Sequence, residues 1–342
     1  MTKINNTTKV IENCHPNNIP PDVLLSSEPI ILKGLVKDWQ LVKAGLTSDK
    51  DAIDYLKSFY NGKPAGAYFG EPDIEGRFAY NEDLSKVNFE VKKTQLNEVL
   101  DLIFQNISTP NPPAYYVASN SIEGHFPELR KDNDLSFEQA HMAEVNPTAS
   151  IWIGNSSLVP CHYDGSNNIA CCVVGKRRFT LYPPEQIHNL YPGPLHPTPG
   201  GQAISMVDFE APDFVKFPRF REAEKVKQVI DLEPGDALFF PSMWWHQVEG
   251  LSTFNVLINY WWSMSPAYRG QPMNALNHAL LSIRDLPAEE KQAWKHIFDY
   301  YIFGDADNAG RHLPEHAKGL LGNIDDLTAR QLRAMLLNKL NR

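Results

Sequence analysis

The stretches SLVPCHYD, residues 157–164, and LEPGDALFFPSMWWH, residues 232–246, decide the fold predicted for this chain. In the first stretch, one residue separates His162 from Asp164, and side chains two positions apart on a β-strand point to the same side. The second stretch has a Pro-Gly-Asp turn and a short apolar strand, and it ends at His246. This distant histidine completes a predicted face of three ligands.

Two histidines and one carboxylate on one face of an octahedral metal leave three coordination positions open. This donor set is typical of non-haem Fe(II) oxygenases, which need the open positions for a co-substrate and for O2. The pattern therefore predicts an oxygenase with His162, Asp164 and His246 as metal ligands and no further catalytic side chain. The alternative is that His246 is a core histidine beside Trp244 and Trp245.

The chain from about residue 148 to residue 262 consists of short β-like runs separated by Pro and Gly turns, which indicates a sandwich, jelly roll or barrel. The long stretch 185–227 inside it is rich in Pro and Gly and predicts a flap near the barrel mouth. Helical periodicity takes over after Pro266. We predict a mainly β protein with flanking helices. The predicted regions are an N-terminal α/β segment that packs on the barrel (1–145), a catalytic core (146–265) and a C-terminal helical region (266–342).

Periodicity also predicts individual elements on both sides of the core. The predicted strands are 29–36, 65–69, 77–80 and 114–119. The predicted helices are 48–61, 94–107, 274–284 and 288–302, with a last helix that begins at a capping box from Thr328 to Gln331.

The composition is that of an ordinary globular protein, with 42% hydrophobic and 21% charged residues among 342. The net charge of −9 disfavours binding along a nucleic-acid backbone, which requires a basic surface. No stretch approaches the roughly 18 consecutive apolar residues that span a bilayer, and the N-terminus has no apolar signal region. We therefore expect neither a nucleic-acid nor a membrane partner.

Four cysteines are too few for a disulfide scaffold in a chain of this length, and their spacing matches no metal site. Cys14, Cys161, Cys171 and Cys172 are expected to be reduced and mostly buried. Reduced thiols are typical of a cytoplasmic protein.

The run KRRFTL, residues 176–181, places a cation on an apolar strand face, because Arg177 alternates with Phe179 and Leu181. A buried cation needs an anionic partner, and a bound carboxylate fits the fork of a guanidinium group. Arg177 is therefore predicted to hold a carboxylate ligand, with Lys176 as the second candidate. The alternative is an arginine at the strand rim that reaches water.

The run TFNVLINYWW, residues 253–262, predicts a strand with one core face and one face that carries amides into the barrel interior. Asn259 and Trp261 share the second face with Asn255, and Asn168 shares its strand parity with His162. Buried amides need hydrogen-bond partners, which a ligand or the protein itself can supply. Three aromatic residues are candidates for a hydrophobic substrate channel, with core packing as the alternative: Trp152, Tyr163 and Trp245.

Several pieces of the chain, in order, resemble the JmjC/cupin-like (cupin 8) 2-oxoglutarate oxygenases. The resemblance is strongest to the branch of the asparaginyl hydroxylase that inhibits hypoxia-inducible factor and to its bacterial relatives. The pieces are HYD, GKRRFTLYPP, LYPGPLHP, VDFEAPDFVKFP, PGDALFFPSMWWH and NYWW. A weaker likeness in PAYYVAS and ALNHALLSIRDLP extends the resemblance to about residues 110–290.

The resemblance implies a double-stranded β-helix, or jelly-roll, core that binds Fe(II) through the three predicted ligands and takes 2-oxoglutarate as co-substrate. The family holds the far carboxylate of 2-oxoglutarate with a lysine and a tyrosine, which match Arg177 and Tyr116 here. Asn168, Asn259 and Trp261 match residues that line the same pocket. Arg177 in place of the lysine is one departure from the family, and Val159 in place of a co-substrate-binding threonine is another.

The activity implied is hydroxylation with O2, which converts 2-oxoglutarate into succinate and CO2. The substrate is a protein side chain, a peptide, an amino acid or a small metabolite, and the C-terminal helices resemble a dimerising tail that implies a homodimer. Two alternatives remain: a metal-dependent cupin of another class (a co-substrate-independent dioxygenase or an isomerase) and a non-catalytic sensor. A co-substrate-independent enzyme has no evident need for Arg177, and a sensor has none for three metal ligands.

Overall fold

A computed structural model describes residues 7–137, 142, 145–266, 268–305 and 308–341. Two compact units make up the chain, Met1–Ser263 and Met264–Arg342. The first unit includes both the predicted N-terminal segment and the predicted core, so the boundary at residue 145 stays a prediction.

The described part of the first unit contains thirteen strands in two sheets. The strands are β1 (Lys9–Glu12), β2 (Ile30–Lys33), β3 (Ala65–Gly70), β4 (Glu90–Thr94), β5 (Ala114–Ser121), β6 (Thr148–Gly154), β7 (Ser157–Tyr163), β8 (Asn167–Val174), β9 (Arg177–Tyr182), β10 (Gln228–Leu232), β11 (Ala237–Phe240), β12 (Trp245–Gly250) and β13 (Asn255–Trp262). The larger sheet has the order β1-β2-β11-β8-β13-β6-β5-β3-β4, and the smaller has the order β10-β9-β12-β7.

Eight antiparallel strands form the jelly roll. Four of them, β11-β8-β13-β6, are the centre of the larger sheet, and the other four are the smaller sheet. Strands from the N-terminal region extend the larger sheet on both sides. The predicted mainly β fold with a jelly-roll core and flanking helices is therefore confirmed.

Strand β13 separates the main core from the barrel interior. Its outward side chains, including Ile258 and Tyr260, are fully buried in the main hydrophobic core, while Asn259 and Trp261 face the interior pocket. The two predicted faces of this strand are confirmed. Asn255 differs from the prediction, because its amide binds the Ser252 carbonyl at 2.6 Å and closes the preceding turn instead of facing the interior.

The described part of the first unit has six α-helices. They are α1 (Pro21–Leu24), α2 (Gln40–Thr47), α3 (Asp49–Phe59), α4 (Leu96–Gln105), α5 (Ile122–His125) and α6 (Phe220–Glu224). Of these, α1 to α5 contribute to the main core on the larger sheet and α6 packs against the smaller sheet. Apolar residues of α2, α3 and α4 belong to the main core, and Ser48 caps α3 by accepting a hydrogen bond from the Asp51 amide. The predicted strand 77–80 is wrong, since only isolated bridges occur at Arg77 and Tyr80.

The Pro-Gly-Asp turn joins an N-terminal strand to the barrel. Asp236 is 3% exposed and accepts hydrogen bonds from Lys33 Nζ at 2.6 Å and from the Gly34 amide at 2.9 Å. Gly235 has φ +97°, and a Cβ there would lie 2.9 Å from Lys37 Cα. Both the backbone conformation and the lack of space therefore exclude a side chain at this position. The turn thereby sets the start of β11, which leads to His246.

The predicted flap, 185–227, connects β9 to β10 and is held at several points. The Ser205 amide donates to the Cys161 carbonyl at 2.7 Å, and the Tyr80 hydroxyl donates to the Pro194 carbonyl at 3.0 Å. Its residues Leu190 and Phe220 are fully buried against the outer face of the smaller sheet. These contacts hold the tip of the segment, around Gly200 and Gln202, beside the barrel mouth.

The second unit is helical, with α7 (Pro272–Ser282), α8 (Ala288–Phe298) and α9 (Asp326–Leu340). The last helix begins at Asp325, whose carboxylate accepts a hydrogen bond from the Thr328 amide at 2.8 Å, so the predicted cap at Thr328 is wrong by three positions. No described helix has the length and apolar character needed to cross a membrane.

Candidate metal centre

The structure brings the three predicted ligands together. His162 and His246 are cross-strand partners on β7 and β12, and Asp164 follows the end of β7. Their donor atoms all lie within 4.8 Å of one another, with Asp164 Oδ2 3.6 Å from His246 Nε2. The two imidazole centroids are 4.4 Å apart. Three donors this close on one side of a cavity can bind one metal ion and leave its other side open.

Backbone carbonyls fix the orientation of both imidazoles. His162 Nδ1 lies 2.9 Å from the Pro160 carbonyl oxygen, and His246 Nδ1 lies 3.0 Å from that of Trp244. A carbonyl oxygen only accepts, so each Nδ1 carries the proton and donates. Each Nε2 therefore keeps a free lone pair, which is the usual arrangement of metal-binding histidines.

His246 is buried and uncharged. Burial, followed by the neighbouring His162, lowers its pKa from 6.5 to about 4, against the opposing effects of Asp164 and the Trp244 carbonyl. A lowered pKa favours the neutral imidazole at every pH well above 4. His246 therefore needs no deprotonation near neutral pH before it can bind a metal.

A β-bulge in β7 sets which of its side chains face the pocket. Val248 pairs with Val159 and His246 pairs with His162, so one residue of β12 lies opposite two residues of β7. The extra residue shifts the alternation of the strand. Val159 and His162 consequently both line the interior, although they are three positions apart.

A cavity of about 50 Å³ inside the barrel is lined by the triad together with Arg177 and Tyr116. Arg177 is 2% exposed, and neither its Nε nor its Nη2 has a hydrogen-bond partner. Burial raises the pKa of Tyr116, and the adjacent Arg177 cation partly offsets this rise, so the phenol keeps its proton. Two unpaired guanidinium N–H groups beside a phenol fit a carboxylate that enters from the metal side.

Two amides and an indole form a hydrogen-bonded chain across this cavity. Trp152 Nε1 donates to Asn259 Oδ1 at 2.7 Å, and Asn259 Nδ2 donates to Asn168 Oδ1 at 3.2 Å. Trp261 lines the same cavity and packs edge-on against Trp152 at 5.7 Å. The predicted pocket residues Asn168, Asn259 and Trp261 therefore lie together, and the amides are partly satisfied within the protein.

A wider cavity of about 320 Å³ adjoins the triad. His162 and Asp164 belong to its wall, as does Trp152, one of the three predicted substrate-channel residues. The tip of segment 185–227 contributes Gly200, Gln202 and neighbouring residues. This segment thus lies at the barrel mouth, beside the metal-facing groups.

The other two predicted channel residues, Tyr163 and Trp245, point away from both cavities. They pack against each other at 4.8 Å in the hydrophobic cluster under segment 185–227. The reason is strand alternation, because each is adjacent in sequence to a metal-facing histidine. Lys176 is also outside the pocket, since its ammonium binds Glu233 at 2.9 Å in the turn before β9.

Several wall residues of the wider cavity have no signal in the sequence. They come from three distant segments: Tyr68, Phe78, Ala118, Ser119, Gln202 and Ile204. Gln202 Oε1 is buried without a hydrogen-bond partner, and Ser119 has a positive φ of 40°. Among the described residues that line this cavity, Ser119 is the one non-glycine residue with a positive φ, a backbone conformation that the sequence does not reveal.

Comparison with known proteins agrees with this geometry. The model of a family described as "Cupin-like domain" matches residues 16–268. The chain belongs to this family. The match covers the whole jelly roll and, apart from β1, the strands that extend it, and it confirms the predicted resemblance to the JmjC and cupin oxygenases.

Named relatives fall in the same group. The chain is 29% identical over 265 residues to lysine-specific demethylase 8 of Danio rerio, covering 75% of this chain and 59% of the relative. It is 26% identical over 251 residues to JmjC domain-containing protein D of Dictyostelium discoideum (69% and 52%). It is 33% identical over 135 residues to human HSPB1-associated protein 1 (39% and 27%). The chain spans at most about 60% of the length of these relatives.

The cofactors are those of the JmjC oxygenases, Fe(II) and 2-oxoglutarate. The residues present fit both groups. Two imidazoles and one carboxylate are the donor set for Fe(II), and the Arg177 guanidinium, with Nε and Nη2 unpaired, is the partner that a dicarboxylate needs at its far end.

Proposed function

We propose that this protein is an Fe(II)- and 2-oxoglutarate-dependent oxygenase that hydroxylates a C–H bond of its substrate. One O2 and one 2-oxoglutarate are consumed for each hydroxyl group formed, and succinate and CO2 are released. The observation that carries the proposal is Arg177, a buried cation with two unpaired N–H groups in the cavity that the triad opens into. A metal site without this co-substrate leaves that cation without an anion.

Each residue has a defined part in the proposal. His162, Asp164 and His246 hold the metal and leave three positions free. Arg177 and Tyr116 bind the far carboxylate of the co-substrate and so orient its 2-oxo acid end toward the metal. Bound Fe(II) and 2-oxoglutarate together supply the activation of O2.

The surroundings support chemistry away from water. Phe179, Phe240, Val248 and Leu257 close the inner cavity with apolar side chains. A dry cavity strengthens the electrostatic grip on bound groups and limits side reactions. Asn168 and Asn259 add polar contacts near the metal, and Lys176 has no part in the site.

The substrate is proposed to be a protein side chain, a peptide, an amino acid or a small metabolite. The Danio rerio relative is named a lysine-specific demethylase, and the human relative is named for association with HSPB1. Those names support a protein side chain among the candidate substrates. Hydroxylation, rather than demethylation, is the reaction proposed here.

Anaerobic titration of the Fe(II)-loaded protein with 2-oxoglutarate tests the function without a known substrate. Chelation of iron by the 2-oxo acid is expected to produce a saturable visible charge-transfer band. After O2 is admitted, slow conversion of 2-oxoglutarate into succinate is expected. Bound iron without a band would contradict the proposal and favour a metal-dependent cupin of another class.

We further propose a homodimer through the C-terminal helices. In the described part of the second unit, Ala309 and Ala329 are the buried apolar residues. Large side chains stay exposed, among them Leu337 at 62% and Phe303 at 75%. Apolar surface of this extent is typical of an interaction site and supports burial against a second copy.

The double variant Leu337→Glu/Leu340→Glu is expected to be monomeric, because it places charges in the proposed apolar interface. Light scattering should give about twice the chain mass of 38.7 kDa for the unaltered protein and 38.7 kDa for the variant. Val215→Glu, at a residue 94% exposed in the first unit, is the matched control and should remain dimeric. A monomeric unaltered protein at micromolar concentration would refute the dimer.

A cytoplasmic location stays a prediction. The four cysteines support it, since all are free thiols and three of them are buried.

A further inference from the structure

The wider cavity beside the triad limits what a substrate can be. Under the proposed function, the substrate enters this space of about 320 Å³, because His162 and Asp164 line it and it adjoins the cavity that contains Arg177. The side chains of the cavity wall are then the groups that contact the substrate. Their chemistry selects the class of group that can lie there.

Aromatic rings form a continuous part of the wall. Tyr68 contacts Phe78 at 5.9 Å, Phe78 stacks on Tyr116 at 5.4 Å, and Trp152 meets Trp261 edge-on at 5.7 Å. Aliphatic residues and segment 185–227 complete the enclosure. Rings fixed against one another present a rigid apolar surface, which favours an apolar partner.

Formal charge is almost absent from this wall. Of the described residues that line it, Asp164 alone is charged, and it belongs to the metal triad. Arg177 lies in the inner cavity and is not part of this wall. Burial raises the pKa of Tyr68 and of Tyr116, so both phenols stay neutral.

A charged substrate group would be poorly compensated here. An anion would find no Lys or Arg among the described lining residues, and a cation would find no carboxylate besides the triad's Asp164. Burial of a charge without a partner is strongly unfavourable. Aromatic faces attract cations, but an ammonium group also needs acceptors for three N–H donors. Among the described lining side chains, the buried acceptor without a partner is the single neutral oxygen Gln202 Oε1.

We propose that the group hydroxylated by this protein is uncharged and mainly apolar, an aliphatic or aromatic side chain or ring, which presupposes the proposed function. Ammonium, guanidinium and carboxylate groups are excluded from the cavity. The chemistry that recognises the substrate is thus contact with fixed aromatic rings beside the metal.

Four probe molecules of similar size test this selectivity: the N-acetylated amides of norleucine, phenylalanine, lysine and glutamate. Each is titrated anaerobically into the full-length protein loaded with Fe(II) and 2-oxoglutarate, and the shift of the charge-transfer band reports entry beside the metal. The norleucine and phenylalanine probes are expected to bind at least about tenfold more tightly than the two charged probes.

A charge introduced into the wall provides the matched control. Ser119 is exposed and has φ +40°, a conformation that Asp and Asn tolerate, so both replacements are expected to fold. Ser119→Asp should improve binding of the lysine probe about tenfold, whereas Ser119→Asn, of equal size, should not. Ser119 lies outside the co-substrate pocket, so 2-oxoglutarate binding should be the same in both variants.

The proposal would be overturned if the lysine probe or the glutamate probe bound the unaltered protein as tightly as the norleucine probe. It would also be overturned if neither neutral probe shifted the charge-transfer band. The band formed by 2-oxoglutarate alone separates these results from a failure of the proposed function. If that band is present, only the substrate class is wrong. If it is absent, the co-substrate assignment fails first.

Discussion

His246→Ala is expected to reduce the affinity for Fe(II) at least about 100-fold, since loss of even an outer partner of a metal ligand costs 10- to 100-fold. The variant removes one of three donor atoms that lie within 4.8 Å of one another. Two remaining protein ligands, His162 and Asp164, hold the metal weakly. The charge-transfer band with 2-oxoglutarate and the formation of succinate should therefore disappear together.

Metal content after dialysis and the titration of the band measure this effect. His188→Ala is the matched control, because it removes an exposed histidine that lines a separate surface groove. The control should bind Fe(II) and 2-oxoglutarate as the unaltered protein does. Full iron content in His246→Ala, with normal thermal unfolding, would show that the triad is not the metal site.

Arg177→Met is expected to raise the Kd for 2-oxoglutarate about 100-fold or more, which is the scale measured when one partner of a buried charge pair is removed. Iron binding should be unaffected, because Arg177 lines the inner cavity but is not one of the three clustered donors. Methionine keeps much of the length of the side chain but removes the buried cation. Without co-substrate, the variant should be at least as stable as the unaltered protein, because an unpaired buried charge destabilises the fold.

Two further variants decide which cation binds the co-substrate. Arg177→Lys keeps the charge but loses the forked pair of donors, so an intermediate loss of about tenfold is expected. Lys176→Ala is the neighbouring control and should leave the Kd unchanged, since Lys176 binds Glu233 outside the pocket. A Kd that rises in Lys176→Ala and not in Arg177→Met would reverse the assignment. The titration of the charge-transfer band measures all three variants.

The metal-binding face could be predicted because it depends on local geometry. The spacing of His162 and Asp164 places them on one side because side chains alternate along a β-strand. The residue types of Pro-Gly-Asp are sufficient to predict the turn before β11. The two faces of β13 followed from the same alternation. Fold class was predictable for a related reason, because short strands between Pro and Gly turns have few ways to bury their apolar faces.

The wrong predictions of side-chain direction have two causes. Either the alternation of side chains along a strand was not applied, or the strand itself is irregular. Tyr163 and Trp245 are adjacent to metal-facing histidines and must therefore face outward, which the aromatic character of the residues obscured. The bulge in β7 is the opposite case, since it turns both Val159 and His162 inward, and its sign in the sequence is Pro160, a residue type that strands accept mainly at edges and bulges. Asn255 was misplaced because its position at a strand end lets it bind the turn.

By itself, the sequence predicted the three ligands and a cation for a carboxylate, and its resemblance to a family predicted the jelly roll that carries them. Side-chain identity and the two-residue period of strands are local properties, so they can be predicted from the sequence. Only the tertiary structure decided that Arg177 rather than Lys176 reaches the pocket and that segment 185–227 borders the mouth. It alone assembled the uncharged cavity, whose wall combines residues as distant as Tyr68 and Trp261. A cavity wall is a relation among segments that become neighbours only on folding, and therefore its shape and charge have no linear signature.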